Sequence, residues 1–288
     1  MCRFAGGVPE KLCCAMSERD RTRRQGVRHR RIRASLVSVA CLLRGLPLFF
    51  RAAPRTPLRV LGIIAFDTLH VLRHSRPLPR KRISELAMLL DFEGCTNAAW
   101  DHKELCEAEY QAIRQRLEKA GLGLCIEEYL TRLRELESRR PSIGGDHRRF
   151  DEVRSYREAV ARLSIATAAA IALNAHCREE DVRAAQCDSD VDTLFRILMQ
   201  CQIIDDVLDY RADVSAGLPS FLTASASLPQ AMALTATAAR DYAASPQYSS
   251  GTGVFPLRMA LCVVTAVTTL VVRVADRRHR TLAGACIR

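Results

Sequence analysis

The stretch that most constrains this chain runs from Gln202 to Asp213. It reads Gln-Ile-Ile-Asp-Asp-Val-Leu-Asp-Tyr-Arg-Ala-Asp and is followed by Gly217-Leu-Pro219. The apolar residues that recur here every three or four positions are Leu194, Ile197, Leu198, Cys201, Ile204 and Leu208. This period predicts a helix from about Asp192 to Ser215. Gly217 and Pro219 are typical of a helix stop.

Five polar residues fall on one side of this predicted helix, at the border of its apolar stripe: Gln202, Asp205, Asp206, Asp209 and Asp213. Carboxylates held at the edge of a core are costly unless cations neutralise them. Asp205 and Asp209 are one helical turn apart, so their oxygens can converge on a hard cation such as Mg²⁺. This cation takes oxygen ligands and is often bound by carboxylates and a phosphate together. A solvated acidic patch is the alternative, but the apolar residues that flank the acids favour a metal site.

The segment Gln-Ile-Ile-Asp-Asp-Val-Leu-Asp-Tyr at 202–210, with its downstream Asp and Gly-x-Pro, resembles the second aspartate-rich motif of class I isoprenoid synthases. It is most similar to that of trans-polyprenyl diphosphate synthases. Residues 213–219 also resemble the matching stretch of squalene and phytoene synthases. The resemblance implies an all-α, isoprenoid-synthase-like helical bundle with a central cavity. It also implies that Asp205, Asp206 and Asp209 bind the Mg²⁺ that ionises an allylic prenyl diphosphate.

The resemblance places a first acidic motif, facing the second across the cavity, in the segment Ile83–Ala120, which has a helical pattern. Here Glu93, Asn97, Asp101 and Glu104 are spaced to lie along one stripe. Asn97 and Asp101 are therefore the expected metal ligands of the second wall. The segment 97–101 carries fewer acids than the dense cluster of polyprenyl synthases, and a mixed-charge exposed face is the alternative.

A third group of candidate residues opens the predicted Ala-rich helix Val153–Asn174. Arg154 and Arg157 are one turn apart, with Tyr156 between them. Arginine suits bidentate contacts to a diphosphate. We therefore expect Arg154, Tyr156 and Arg157, together with Gln202, to bind the substrate. An exposed basic first turn is the alternative interpretation.

The composition predicts three parts. Residues 1–35 form a basic arm without an apolar period, expected to be disordered, in which positions 1–33 hold ten Lys/Arg and three Asp/Glu. Residues 36–244 form the helical domain. Residues 245–288 form an atypical C-terminal tail, where Val263–Val272 has a strand-like composition and no final amphipathic helix is evident. The basic arm has no aromatic residues interleaved to stack on bases, so nucleic acid is disfavoured as a partner.

The location predicted from the sequence is the cytoplasm. The twelve cysteines are scattered without a Cys-x-x-Cys pair, as expected for small buried residues in a reducing compartment. The uncharged run Met259–Val272 is shorter than the roughly 20 residues that a bilayer requires. Basic residues flank the apolar runs, so a peripheral contact with a membrane stays open, as does a homodimer.

The function predicted from these observations is that of a Mg²⁺-dependent class I isoprenoid synthase acting on a prenyl diphosphate. Chain elongation, head-to-head condensation and cyclisation stay open, because the sequence does not show what the allylic cation meets. The alternative is a non-catalytic basic helical protein, unrelated to the synthases or a degenerate homologue, that binds RNA, a membrane surface or a protein partner.

Overall fold

The computed structural model describes residues 57–102, 107–144, 147–174, 178–244 and 255–285. Within these ranges the chain is all-α and has no strand. The predicted all-α fold class is therefore confirmed at this level. The predicted arm, residues 1–35, lies outside the described residues.

Ten helices make up the described part of the chain. They are α1 Pro57–His74, α2 Arg80–His102, α3 Glu107–Lys119, α4 Gly123–Glu137, α5 His147–Leu173, α6 Glu179–Gln186, α7 Ser189–Leu208, α8 Tyr210–Ala216, α9 Leu228–Ala243 and α10 Phe255–Ala285. The predicted helix over 192–215 is thus two helices, α7 and α8, which meet at Asp209. The helical pattern over Ile83–Ala120 likewise divides between α2 and α3.

Local capping explains where α7 begins and α8 ends. The Asp188 carboxylate accepts hydrogen bonds from the backbone N–H groups of Asp190 (2.9 Å) and Val191 (3.1 Å), which have no partner inside the helix. Gly217 follows α8 with φ 66°, a left-handed conformation that glycine adopts without a steric penalty. The glycine predicted as a helix stop has this role.

The core consists of two main apolar clusters that share α5 and α7. The first lies among α1 to α7, with Leu257 of α10, and contains Phe92, Tyr129 and Leu133. The second lies among α5, α7, α9 and α10 and contains Phe195, Met199 and Tyr242. Small residues on α5 in the run Ala168–Ala170 are at most 2% exposed, which allows neighbouring helices to approach closely. Since α5 and α7 contribute to both clusters, they form the centre of the bundle.

Two buried side chains of α7 hold the end of α9. Arg196 donates to the carbonyls of Tyr242 (2.6 Å) and Ala243 (2.7 Å), and Gln200 Nε2 donates to the carbonyl of Ala239 (2.7 Å). The last carbonyls of a helix have no acceptor role within it, so these donors satisfy groups that burial would otherwise leave unpaired. The α7–α9 interface therefore depends on polar as well as apolar contacts.

The C-terminal region differs from the expectation. Residues Phe255–Ala285 form helix α10, so the strand-like interpretation of Val263–Val272 is wrong. The buried positions Leu257, Leu261, Thr268 and Val272 follow a helical period and face α7 and α9. This period outweighs the strand preference of Val and Thr, which is a weak and context-dependent effect.

The cysteines also differ in part from the expectation of unlinked thiols. Cys125 is disulfide-bonded, whereas Cys187, Cys201 and Cys262 are free. A disulfide is unusual in a reducing compartment. The predicted cytoplasmic location stays a prediction.

The packing of α10 predicts a difference between two neighbouring valines. Val272 is 5% exposed within the second core cluster, and Val274 is 39% exposed on the outer side of the same helix. We expect Val272→Ala to lower the free energy of unfolding by about 2 kcal/mol, because it leaves a cavity. Val274→Ala is the matched control and should change it by less than about 0.5 kcal/mol. Denaturant titrations with equal shifts for both variants would show that α10 is not packed on the bundle.

Candidate functional site

The aspartates of the predicted second motif lie at the junction of α7 and α8. Asp205 and Asp206 are in the last turn of α7, Asp209 is the junction residue, and Asp213 is in α8. The Asp209 N–H donates to the Asp205 carbonyl (2.8 Å), and the Asp213 N–H donates to the Asp209 carbonyl (2.9 Å). Helical hydrogen bonding therefore continues across the junction. It places Asp205, Asp209 and Asp213 in one row, as the sequence predicts.

Asp206 is the buried member of this group, with 2% of its side chain exposed. Its Oδ1 accepts a hydrogen bond from Arg157 Nη2, and its Oδ2 accepts one from the Phe221 backbone N–H (2.7 Å). Burial raises the pKa of Asp206, although Arg157 and the Phe221 N–H oppose that shift. Both carboxyl oxygens have protein donors, so Asp206 holds the Arg157 guanidinium and the Phe221 backbone in place. Its predicted role as a metal ligand stays a prediction.

Arg157, on α5, is the cation at the centre of the site. Burial alone would lower the pKa of Arg157, but the charges of Asp206, Asp101 and Asp213 outweigh it and raise that pKa. The side chain is 23% exposed, and its Nε is buried without a hydrogen-bond partner. Arg157 thus lies within electrostatic reach of both predicted acidic motifs, and it has one N–H donor that no protein group uses.

The carboxylates around Arg157 carry more negative charge than the guanidinium neutralises. Burial raises the pKa of Asp205, and the charge of Asp209 raises it further. Burial and the charges of Asp206 and Asp209 raise the pKa of Asp213 to about 6, despite a hydrogen bond with Ser220. Raised carboxyl pKa values mean that the charged forms lack full compensation. An additional cation near this row would stabilise it.

The predicted first motif only partly faces this row. Asp101 is paired with Arg140 Nη2, and Arg140 Nη1 donates to the Trp100 carbonyl (3.2 Å). Asn97 is exposed, and Glu104 lies outside the described residues. Glu93 is 7% exposed, and burial raises its pKa well above the usual value. The stripe therefore runs from the core to solvent, and of its described members Asp101 is the one whose charge acts on Arg157.

Arg140 is a site residue that the sequence interpretation missed. It lies beyond the C-terminus of α4 and pairs with Asp101; it also lies 3.5 Å from Glu137. The sequence signal was the dipeptide Arg139-Arg140 directly before Pro141, in a loop between two helical patterns. This dipeptide does not indicate which acidic residue Arg140 contacts, and it does not indicate that α2 ends beside the loop. Only the packing of α2 against its neighbours decides these points.

The predicted substrate-binding residues divide between two places. Arg154 binds Glu158 (2.9 Å) and Asp241 (2.9 Å) and lies over the Tyr242 ring, so it joins α5 to α9 instead of facing the aspartate row. The Tyr156 hydroxyl donates to Glu137 (2.7 Å). Gln202 Oε1 is buried without a hydrogen-bond partner. The structure therefore unites Arg157 with the aspartates but does not bring Arg154 to them.

The donor groups present allow a test of the predicted Mg²⁺. Among the described residues no group of three His, Cys, Asp or Glu side chains could hold a metal by itself. Asp205 and Asp209 are both accessible to solvent and one helical turn apart. Mg²⁺ commonly takes one or two carboxylates and completes its shell with water and substrate phosphates. The pair fits a Mg²⁺ that is shared with a phosphate, and it does not fit a closed, all-protein site.

Cavities do not add to this site. One open groove of about 440 Å³ lies between α4 and α5 and is lined in part by Leu136, Arg148 and Tyr156. A second, of about 10 Å³, lies beside Phe195. Neither is lined by Asp101 or Asp205. The predicted central cavity is thus not one of these two.

Comparison with known proteins gives no relative: no protein-family model, no curated protein and no solved structure matches this chain.

The Arg157–Asp206 pair predicts a large loss of stability when the cation is removed. We expect Arg157→Leu to lower the free energy of unfolding by about 3 kcal/mol at neutral pH, because the buried Asp206 charge loses its partner. The loss should shrink as the pH falls, because burial raises the pKa of Asp206 and a protonated carboxyl needs no cation. Arg183→Leu removes an arginine that is 68% exposed and should cost less than about 1 kcal/mol. Equal losses for both variants in denaturant titrations would contradict the assignment.

The raised pKa of Asp213 predicts a pH-dependent effect of Asp213→Asn. The folded-state pKa of about 6 exceeds the ordinary value of 3.8, so the folded protein binds a proton more tightly than the unfolded chain between these values. The contribution of Asp213 to stability therefore falls as the pH rises through this window. The variant should match the wild type near pH 4 and be more stable by about 1 kcal/mol near pH 7, after allowance for solvent screening.

Thermal or denaturant unfolding at several pH values measures this difference. Asp151→Asn, at an exposed position on α5, is the control for replacing a surface aspartate. A stability difference that is the same at all pH values would show that Asp213 does not titrate as the site geometry requires.

Proposed function

We propose that this protein is a Mg²⁺-dependent class I isoprenoid synthase that ionises an allylic prenyl diphosphate. The observation that supports the proposal most is the charge imbalance at the α7–α8 junction. Asp205, Asp209 and Asp213 form one row, the pKa values of Asp205 and Asp213 are raised, and Arg157 is the nearby guanidinium. Such a row has a use for cations that arrive with an anionic substrate.

The proposal gives each residue of the row a distinct task. Asp205 and Asp209 would hold Mg²⁺, which when bound neutralises the negative charge that develops on a departing diphosphate. Asp206 holds the Arg157 guanidinium in place through its Oδ1. The part of the Arg157 guanidinium that stays exposed can then donate to a diphosphate oxygen. Gln202, one helical turn before Asp206, adds a polar group that the protein itself leaves unpaired.

An allylic cation needs apolar surroundings that exclude water, and the proposal expects the neighbouring helices to provide them. The first apolar cluster contains Phe92 and Tyr129, which lie on the two helices that end near Asp101 and Glu137. A prenyl chain needs apolar surroundings once its diphosphate has left. The reaction depends on what the allylic cation meets. Isopentenyl diphosphate gives chain elongation, a second prenyl diphosphate gives condensation, and the cation's own double bonds give cyclisation.

A non-catalytic helical protein is the second candidate function. The pairing of Asp101 with Arg140 favours it, because this pair occupies the carboxylate that the first motif would offer to a metal. In that case the charge imbalance at α7–α8 would be a remnant or would serve to bind a cationic partner. The two candidates differ in one measurable property, which is Mg²⁺-dependent turnover.

The proposal predicts that Asp205→Ala and Asp209→Ala each abolish Mg²⁺-dependent turnover of a prenyl diphosphate, by at least about a hundredfold in kcat. Both side chains are accessible, so the circular dichroism spectrum should stay helical. Asp192→Ala is the matched control: it removes an aspartate from the first turn of the same helix, where it contacts Arg162 (3.3 Å), and it should keep the activity. An unchanged rate in Asp205→Ala would contradict the metal assignment.

The substrate test is an incubation with geranyl, farnesyl and geranylgeranyl diphosphates, each with and without isopentenyl diphosphate. Longer prenyl diphosphates identify elongation, a head-to-head product identifies condensation, and a hydrocarbon or alcohol from one substrate identifies cyclisation. Calorimetry of Mg²⁺ with inorganic diphosphate measures binding without a reaction. It therefore distinguishes a protein that binds the ligand but is inactive from a protein that has no such binding site. Neither binding nor product with any substrate would favour the non-catalytic candidate.

A further inference from the structure

Helix α10 has apolar residues on two opposite sides. One side contains Leu257, Leu261 and Val272 and is buried against α7 and α9. The other side is exposed and contains Met259, Val263, Val267, Leu270 and Val274, with exposures from 39% to 62%. These five are nearly half of the eleven exposed large apolar residues in the described part of the chain. The exposed apolar surface of the protein is therefore concentrated on one helix.

The five residues form one continuous stripe. Their spacings of four, four, three and four positions keep them on one side of a helix, over a length of about 22 Å. We call this set the outer stripe. A contiguous apolar surface of this kind on a folded protein commonly marks contact with a protein partner or a membrane.

The charges on α10 distinguish between these partners. Arg273, Arg277 and Arg278 are exposed and flank the outer stripe at its C-terminal end. The single acidic residue of the helix, Asp276, is half-buried, and its helical position is on the opposite side. Apolar residues beside arginines, with no acid among them, match the acyl chains and phosphates of an anionic lipid surface.

The same charges disfavour a second copy of this chain as the occupant. If two α10 helices paired through their outer stripes, no exposed acid of either helix could face the arginines of the other. Such a pair would bury apolar area, but α10 of the other copy would offer no exposed acid to Arg273 and Arg278. The charge pattern therefore favours lipid over self-association through α10.

Length and composition alone would also allow α10 to cross a membrane. The segment Leu257–His279 is long and apolar enough to do so, by that criterion only, and 22% of its apolar window is buried in the fold. Crossing would require the inner side, including Thr268 and its hydrogen bond to the Gln200 carbonyl (3.3 Å), to leave the bundle. A helix that stays packed on α7 can only lie along the membrane surface.

We propose that the outer stripe of α10 lies in the interfacial region of an anionic membrane. Its apolar side chains enter the acyl boundary, and Arg273, Arg277 and Arg278 contact the headgroup phosphates. This inference uses no residue of the aspartate site. It therefore stands or falls independently of the proposed enzymatic function.

The test is flotation of the full chain with vesicles of phosphatidylcholine alone or mixed with phosphatidylserine. The protein should float with the mixed vesicles, and added salt should weaken the binding. Leu270→Ser should lower the partition coefficient about tenfold, because it removes a side chain from the acyl boundary. Leu124→Ser is the matched control: it changes an 88% exposed leucine on α4 and should leave binding unchanged. Arg273→Gln with Arg278→Gln should reduce the preference for phosphatidylserine.

Four outcomes would overturn the proposal. The first is no flotation with either vesicle. The second is equal flotation of the wild type and Leu270→Ser, which would place binding on another surface. The third is a dimer in sedimentation equilibrium that Leu270→Ser dissociates, which would identify a second copy as the occupant. The fourth is resistance to extraction by alkaline carbonate, which would show that the helix spans the membrane. Asp205→Ala should float like the wild type, so failure of the enzymatic proposal stays distinguishable.

Discussion

The buried pair of Arg157 and Asp206 is the interaction on which the site and its surroundings depend. It joins α5 to α7, and both of these helices contribute to the two main core clusters. The second oxygen of Asp206 holds the Phe221 N–H, so the same carboxylate also fixes the segment that leads from α8 to α9. A buried charge is tolerated only when it is paired and hydrogen-bonded. One aspartate thus positions a guanidinium, a connecting segment and the start of the acidic row.

The acidic row follows from this arrangement, because one guanidinium cannot neutralise all the carboxylates around it. Asp205 and Asp213 accordingly have raised pKa values, and Arg157 keeps an unused N–H donor. Unpaired polar groups cost stability, so their presence together is a reason to expect a ligand. A magnesium diphosphate would satisfy both kinds of group at once, since it would bring cations to the acids and oxygens to the arginine. A magnesium diphosphate at this row does not account for the pair of Asp101 and Arg140, because this pair occupies the carboxylate that the first motif would offer to a metal.

Helix α10 connects the core with the outer surface of the protein. Its inner side closes the second apolar cluster and contacts the backbone of α7 through Thr268, while its outer side exposes an apolar stripe beside arginines. The aspartate row lies at the C-terminal end of α7, which α10 packs against. If the outer stripe binds lipid, the helix that carries the site is held one layer from the membrane. Such a position suits a protein whose proposed substrate has a long apolar chain.

The sequence by itself determined the all-α class, the helix that carries the aspartates and the row formed by Asp205, Asp209 and Asp213, because these follow from short-range periodicity. It also indicated the end of this helix at Gly217, where a left-handed residue is needed. Only the tertiary structure decided which arginine contacts the acids. Arg154 and Arg157 are three positions apart on α5, so their side chains leave the helix in different directions. Arg154 thereby binds Asp241 and Arg157 binds Asp206. The helical state of α10 was missed for a related reason: its Val and Thr residues favour strands locally, and only contact with α7 and α9 makes the helix the stable form.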